Sequence, residues 1–174
     1  NAIYEDAQKE IQRIINHLST SKNSAPNKLE EIERIRKFCK SGQKNALKTV
    51  KVDLFLKSKN GTVYMFDLKT ATPNVSNFKD FKRTLLEWAA LYLTEYPAAK
   101  VQSCIAIPYN PYEPEPYERW TLKGMLDFDG ELMVGREFWD FLGGQNTYDE
   151  LLDCFEMAGI ELRPEIDGYF GKFK

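Results

Sequence analysis

Histidine is nearly absent from this chain: His17 is the only one among 174 residues. A hydrolase built on Ser-His-Asp or Cys-His would have to recruit that one side chain. It sits on a helical pattern far upstream of the acids discussed below, so a structural or surface role is the simpler reading. Cysteine is scarce too: Cys39, Cys104 and Cys154 are odd in number, scattered and without a C-x-x-C pair. That excludes a paired-cysteine zinc or redox motif and reads as buried thiols in a reducing compartment. No apolar run approaches the ~18 residues of a spanning helix, and no basic-plus-apolar leader opens the chain. A soluble, cytoplasmic protein with no membrane partner is expected. The chain starts at Asn1 rather than Met, as a fragment or processed product missing some N-terminal sequence would.

With 43% hydrophobic and 13% aromatic residues the chain has the makings of a real core, and one domain over 1–174 is the expectation. The net charge of −2 conceals an asymmetry. Residues 1–100 carry 18 Lys and Arg against 11 Asp and Glu, whereas residues 101–174 carry 6 against 15. The basic half favours an anionic partner, although a solvated basic helix gives the same count.

The chain is organised around Val50–Thr70, which reads V-K-V-D-L-F-L-K, S-K-N-G, T-V-Y-M-F-D-L-K-T. Two alternating runs about an Asn-Gly signal predict a β-hairpin. A three-residue loop of Lys59, Asn60 and Gly61 sets Ser58 against Thr62. Counting outward, Lys57 faces Val63, Phe55 faces Met65, Asp53 faces Asp67 and Lys51 faces Lys69. Side chains alternate, so these share one face. Val50, Val52, Leu54, Leu56, Tyr64, Phe66 and Leu68 share the other, which is expected to be the buried one. Opposed carboxylates repel unless something neutralises them. Two Asp side chains and a nearby backbone carbonyl suit Mg²⁺, and Lys69 would set an ammonium beside the metal-bound oxygens. Those are parts for hydrolysing a phosphodiester. From spacing alone, a solvated cluster of Lys51, Asp53, Asp67 and Lys69 is the commoner outcome, and a one-residue change of loop would carry Asp53 across the strand.

Upstream, Ile3, Ala7, Ile11, Ile14 and Leu18 predict a helix with Glu10 at its edge, followed by a second, charged helix over Lys28–Lys40. Downstream, Ser76 or Asn77 is expected to cap a helix from Phe78 to Glu95. Lys79, Lys82 and Arg83 fall in its first two turns, where cations oppose the helix dipole, and so are candidates for contact with phosphate. Val101–Pro108 predicts a buried strand, parallel to the second hairpin strand across the crossover helix. The Pro- and Tyr-rich stretch 108–120 is irregular, either a recognition loop or a wrap around the core. A short strand near Glu131–Val134 and a helix over Gly135–Leu142 follow. A Thr147/Glu150 capping box is expected to open a helix to Met157 with Leu151, Leu152 and Phe155 inward. Gly159 is expected to end it, with a last short helix over Pro164–Phe170.

Asp53 followed by Asp67-Leu68-Lys69 on consecutive strands, then a helix and a third strand, resembles the PD-(D/E)XK nuclease core. The strings K-N-G-T-V-Y-M-F-D-L-K-T-A-T-P-N, F-K-D-F-K-R-T-L-L-E-W-A-A and V-G-R-E-F-W-D-F-L-G-G resemble type II restriction endonucleases of the TdeIII-like group, from about Val50 to the end. The resemblance implies an α/β, restriction-endonuclease-like fold with a mixed central sheet flanked by helices. It divides the chain into a helical lead-in (1–48), a catalytic core (50–107) and a loop and helical part (108–174). It implies that Asp53, Asp67 and the Leu68 carbonyl hold Mg²⁺, while Lys69 positions the attacking water and helps deprotonate it. It further implies double-stranded DNA as substrate, 5′-phosphate and 3′-hydroxyl products, and a homodimer. Val52 stands where the motif's proline would. Such nucleases often add a helical glutamate, for which Glu10, Glu5 and Glu31 are candidates. A repair or RNA nuclease, or a non-catalytic DNA-binding module, are the alternatives.

Overall fold

A helical pattern that starts at Ile3 does not begin as a helix, because the first residues find a strand partner. The structure, a computed structural model, describes residues 2–21, 25–48, 51–71, 78–117 and 124–172. Its elements are β1 (Ala2–Tyr4), α1 (Glu5–Thr20), α2 (Lys28–Arg36), β2 (Lys44–Ala46), β3 (Leu54–Lys57), β4 (Val63–Leu68) and α3 (Phe78–Glu95). Then come β5 (Val101–Ile107), α4 (Phe128–Glu131), β6 (Leu132–Val134), α5 (Arg136–Gly143) and α6 (Thr147–Gly171). β1 pairs antiparallel with β2, Ile3 against Asn45, a ladder too short to carry a sequence signature. Where the sequence suggests one domain, the backbone groups into two compact units, Asn1–Val134 and Gly135–Lys174. Among the described residues no helix is long and apolar enough to cross a membrane.

The first unit holds a four-stranded mixed sheet in the order β3-β4-β5-β6, antiparallel at the hairpin and parallel thereafter. The expected α/β architecture with flanking helices is therefore met. Gly61, at φ +84°, takes the left-handed loop position, and Ser58 N–H donates to the Thr62 carbonyl at 2.9 Å. That loop fixes Lys57 against Val63 and Phe55 against Met65, the register read from the sequence.

The buried face is not the one expected. The pairing of β4 with β5 makes β4 an inner strand, and inner strands of parallel sheets are covered on both sides. Val63, Met65 and Asp67 are buried on the face that meets α3, where Ser103 on the neighbouring strand donates its hydroxyl to the Leu85 carbonyl. Phe66 is buried on the other face, but Leu68 there is exposed. The acids thus share their face with the main core rather than lying opposite it.

α3 spans the predicted residues; its expected cap at Ser76 or Asn77 lies outside the described residues, as do Val50 and Trp120. In the Pro- and Tyr-rich stretch Tyr117 donates to the Ala71 carbonyl at 2.8 Å and packs on the core. In the second unit α6 is one helix of 25 residues, with Gly159 and Pro164 inside it. A mid-helix glycine costs only about 1 kcal/mol, too little to end a helix by itself. The capping box does not form: Asn146 is the N-cap, at φ +71°, and the Thr147 hydroxyl turns back to the Gly144 carbonyl. Leu152 and Phe155 are exposed rather than inward.

Candidate active site

The hairpin ladder stops one residue short of Asp53. Asp53 N–H shifts to the Phe66 carbonyl at 3.2 Å, and the Asp53 side chain takes the Leu68 N–H on Oδ2 at 3.0 Å. A carboxylate has replaced a ladder carbonyl, which anchors Asp53 beside the end of β4 while leaving the residue exposed. Leu68 is 41% exposed, and Lys69 N–H bonds the Ala106 carbonyl of β5, so β4 is held from both sides up to Lys69.

Asp67 and Lys69 are two residues apart on one strand and so lie on the same face. Lys69 Nζ donates to Asp67 Oδ1 at 2.6 Å and sits 4.8 Å from the centre of the Phe81 ring. Burial pushes the Asp67 carboxyl up from its ordinary value, Lys69 pulls it down, and the adjacent Asp53 carboxylate, within hydrogen-bonding reach, pushes it up again. Asp53, Asp67, Leu68 and Lys69 are therefore brought together as expected, around two carboxylates with one ammonium between them.

Among the described residues no group of three or more His, Cys, Asp and Glu side chains is placed to hold a metal. The donor set here is two carboxylates and the backbone of Leu68. That is a hard-oxygen set with room for water, and it fits Mg²⁺, which keeps several waters when a protein holds it. It does not fit zinc, whose usual histidine and thiolate ligands are missing.

The candidate helical glutamates do not join the cluster. Glu10 is buried against Arg34, 2.6 Å away, and Arg13, 3.2 Å away; Glu5 pairs with Lys9. Glu31 is buried with Lys82.

Lys82 requires a correction, because it is fully buried and has no ammonium to offer a phosphate. Its Nζ lies 2.5 Å from Glu31 and 2.6 Å from Glu131, and Glu131 also takes Lys28 at 2.9 Å. Lys28, Glu31, Lys82 and Glu131 form a buried quartet that ties α2, α3 and α4 together. Burial pushes the Glu31 carboxyl up. It pushes Glu131 the same way, yet the Lys28 and Lys82 ammoniums together hold that carboxyl below its ordinary value. The signal was present in the sequence, since Phe78, Lys82, Leu85 and Ala89 follow one helical stripe. Lys79 is exposed on the first turn, and half-buried Arg83 donates to Gln12 of α1 at 2.6 Å. Phe81, which carries the Lys69 ammonium, was visible only as an apolar residue.

Comparison with known proteins agrees with this geometry. The family model described as "Type II restriction endonuclease, HinfI" matches residues 1–159. The type II restriction enzyme HgiEI of Herpetosiphon aurantiacus is 27% identical over 150 residues, 83% of this chain and 53% of that enzyme. HgiCII of the same organism is 27% identical over 119 residues, 67% of this chain and 43% of that enzyme. MjaII of Methanocaldococcus jannaschii is 27% identical over 164 residues, 87% of this chain and 44% of that enzyme. The chain thus spans about half the length of the curated relatives it matches. With that match running from the first residue through the hairpin acids and into α6, the chain belongs to the HinfI family of type II restriction endonucleases.

Proposed function

We propose that this chain carries the catalytic centre of a Mg²⁺-dependent endonuclease that cuts double-stranded DNA at a specific sequence, leaving 5′-phosphate ends, and acts as a homodimer. The observation that carries the reading is the Asp67–Lys69 pair at 2.6 Å with Asp53 anchored beside it at the end of an inner strand. Membership of a restriction endonuclease family supports the same substrate.

Asp53 and Asp67 would hold the ion, with the Leu68 carbonyl as a further ligand. When bound, Mg²⁺ supplies charge to stabilise the oxygens of the in-line displacement at phosphorus. Asp53 is fixed for this by the Leu68 N–H and Asp67 by its place in the β4–β5 ladder, so neither carboxylate has to be ordered when DNA arrives. Lys69, held by Asp67 and by the Phe81 ring, positions the attacking water and helps draw off its proton. In a chain with a single histidine, a lysine is a fitting partner for the water. Exposed Lys79 and half-buried Arg83 are placed by the first turns of α3 to meet the DNA backbone.

The test is incubation of the protein with DNA of mixed sequence and Mg²⁺, followed by mapping of the ends. Discrete fragments with 5′-phosphates, lost on chelation, are expected. Asp67→Ala and Lys69→Ala should each lower cleavage by roughly 10²–10⁴-fold while much of the DNA binding remains. A smear would point to a nuclease without site preference. Binding with no cleavage under any divalent ion would point to a DNA-binding module, and parental rates in both variants would remove the assignment.

A further inference from the structure

The second unit presents a long helix with little to cover it. Tyr148 of α6 is buried, its N–H bonded to Asp140 of α5 at 3.0 Å and its ring 5.2 Å from the Arg136 guanidinium. Beyond it Leu152, Phe155, Leu162, Ile166 and Tyr169 are 44–66% exposed. With Gly159 these residues recur at alternating steps of three and four, the heptad pattern of a helix that packs along one seam against another helix. Leu152, Gly159 and Ile166 take position a, and Phe155, Leu162 and Tyr169 take position d. Pro164 then falls at f, on the outer side, where its ring stays clear of the seam. Glu156 and Arg163 both fall at e, flanking it.

We propose that α6 is a dimerisation helix and that the seam is filled by α6 of a second copy of this chain, running antiparallel across a twofold axis. The free seam is symmetric about its midpoint between Ile160 and Glu161. Leu152 of one copy meets Tyr169 of the other, Phe155 meets Ile166, and Gly159 meets Leu162, so the smallest seam residue faces a leucine. The flanking charges select the direction. Antiparallel packing sets position e beside position e, which brings each Glu156 against Arg163 of the other copy, twice by symmetry. A parallel pair would set Glu156 beside Leu151 and Arg163 beside Ala158, with nothing for either charge. Arg163 is the only basic residue in a helix with seven acidic ones, so this match does not come from abundance. Its contact with Asp167 within the helix, 3.7 Å and well exposed, is of the kind worth little. The inference gives the homodimer proposed above a surface, and it rests on that part of the reading alone.

The test is sedimentation equilibrium of the 174-residue chain, with circular dichroism to follow helix content. The parent is expected to be a dimer. Phe155→Glu and Leu162→Glu should be monomeric with their helix retained. Met157→Glu and Ile160→Glu should stay dimeric, because those side chains, 69% and 68% exposed, lie off the seam at f and b. Glu156→Arg and Arg163→Glu should each weaken the dimer roughly tenfold, and the two together should restore it. Asp67→Ala should dimerise like the parent, which separates this outcome from that of the cleavage chemistry. A parent that stays monomeric overturns both the seam and the homodimer. A dimer that Phe155→Glu and Leu162→Glu leave intact overturns the seam alone. Equal disruption by Met157→Glu and Ile160→Glu overturns the heptad assignment.

Discussion

Leu68 N–H donates to Asp53 Oδ2 across 3.0 Å, so a side chain supplies the acceptor that the hairpin ladder no longer provides at the mouth of the site. The two roles of Asp53, acceptor and anion, can be separated. Asp53→Asn keeps an oxygen for the Leu68 N–H and removes the charge, whereas Asp53→Ala removes both. Both variants should lose cleavage and Mg²⁺ binding alike. Asp53→Ala should in addition be about 1 kcal/mol less stable than Asp53→Asn in urea denaturation, the usual net worth of such a hydrogen bond. Equal stability of the two would mean that the bond at Leu68 contributes nothing to the fold.

The Phe81 ring lies 4.8 Å from the Lys69 ammonium and touches no other member of the site described above. Its contribution should therefore pass through Lys69. Cation–π contacts at part-exposed sites are worth about 0.5–1 kcal/mol, so Phe81→Leu should lower kcat roughly two- to fivefold with KM for DNA unmoved. Phe81→Tyr, which keeps the ring, should restore the rate. A change in KM alone would assign Phe81 to DNA binding instead.

How far the site was legible depends on how local its determinants are. The register of β3 on β4 follows from one loop and one glycine, so Phe55 opposite Met65 could be counted on the page. The parallel partner of β4 arrives about forty residues later, and only its arrival decides that Asp67 is buried and Leu68 exposed. Alternation within two strands cannot report that. Lys82 failed for a related reason: helix-dipole logic treats a first-turn lysine as a surface charge, while its partners Glu31 and Glu131 lie 51 and 49 residues away along the chain. Gly159 and Pro164 were read as breaks because they usually are; within α6 they stand in one continuous helix.

Lys79, Lys82 and Arg83 looked equivalent in sequence and should behave in two different ways. Lys79→Ala and Arg83→Ala should weaken DNA binding across sequences and each reduce the slope of log affinity against log salt by about one, with thermal stability near parental. Lys82→Ala leaves Glu31 and Glu131 buried with less compensation and should cost about 3–5 kcal/mol of stability. Salt-dependent binding titrations together with urea denaturation distinguish the two behaviours. A stable Lys82→Ala protein with weakened DNA binding would reverse the correction made for that residue.

Glu131 supplies the pH dependence of the fold. Burial opposes its ionisation, but the ammoniums of Lys28 and Lys82 at 2.9 and 2.6 Å outweigh burial, so the folded-state carboxyl titrates below its ordinary value of 4.5. The unfolded chain therefore binds this proton at a higher pH than the folded one. The stabilisation is fully present above the unfolded value and is lost as pH falls through the folded one. Glu131→Gln removes the anion and leaves two buried ammoniums with Glu31 as their carboxylate, which should cost about 3–5 kcal/mol at neutral pH. Because the parent loses the same contribution in acid, the stability gap between parent and Glu131→Gln should narrow as denaturation is repeated from neutral pH to below the ordinary carboxylate value. Burial pushes Glu31 the opposite way, so Glu31→Gln should remove a contribution that grows on acidification instead. A gap for Glu131→Gln that is constant across that range would mean the quartet does not titrate with folding, and its cohesion would then have to come from packing alone.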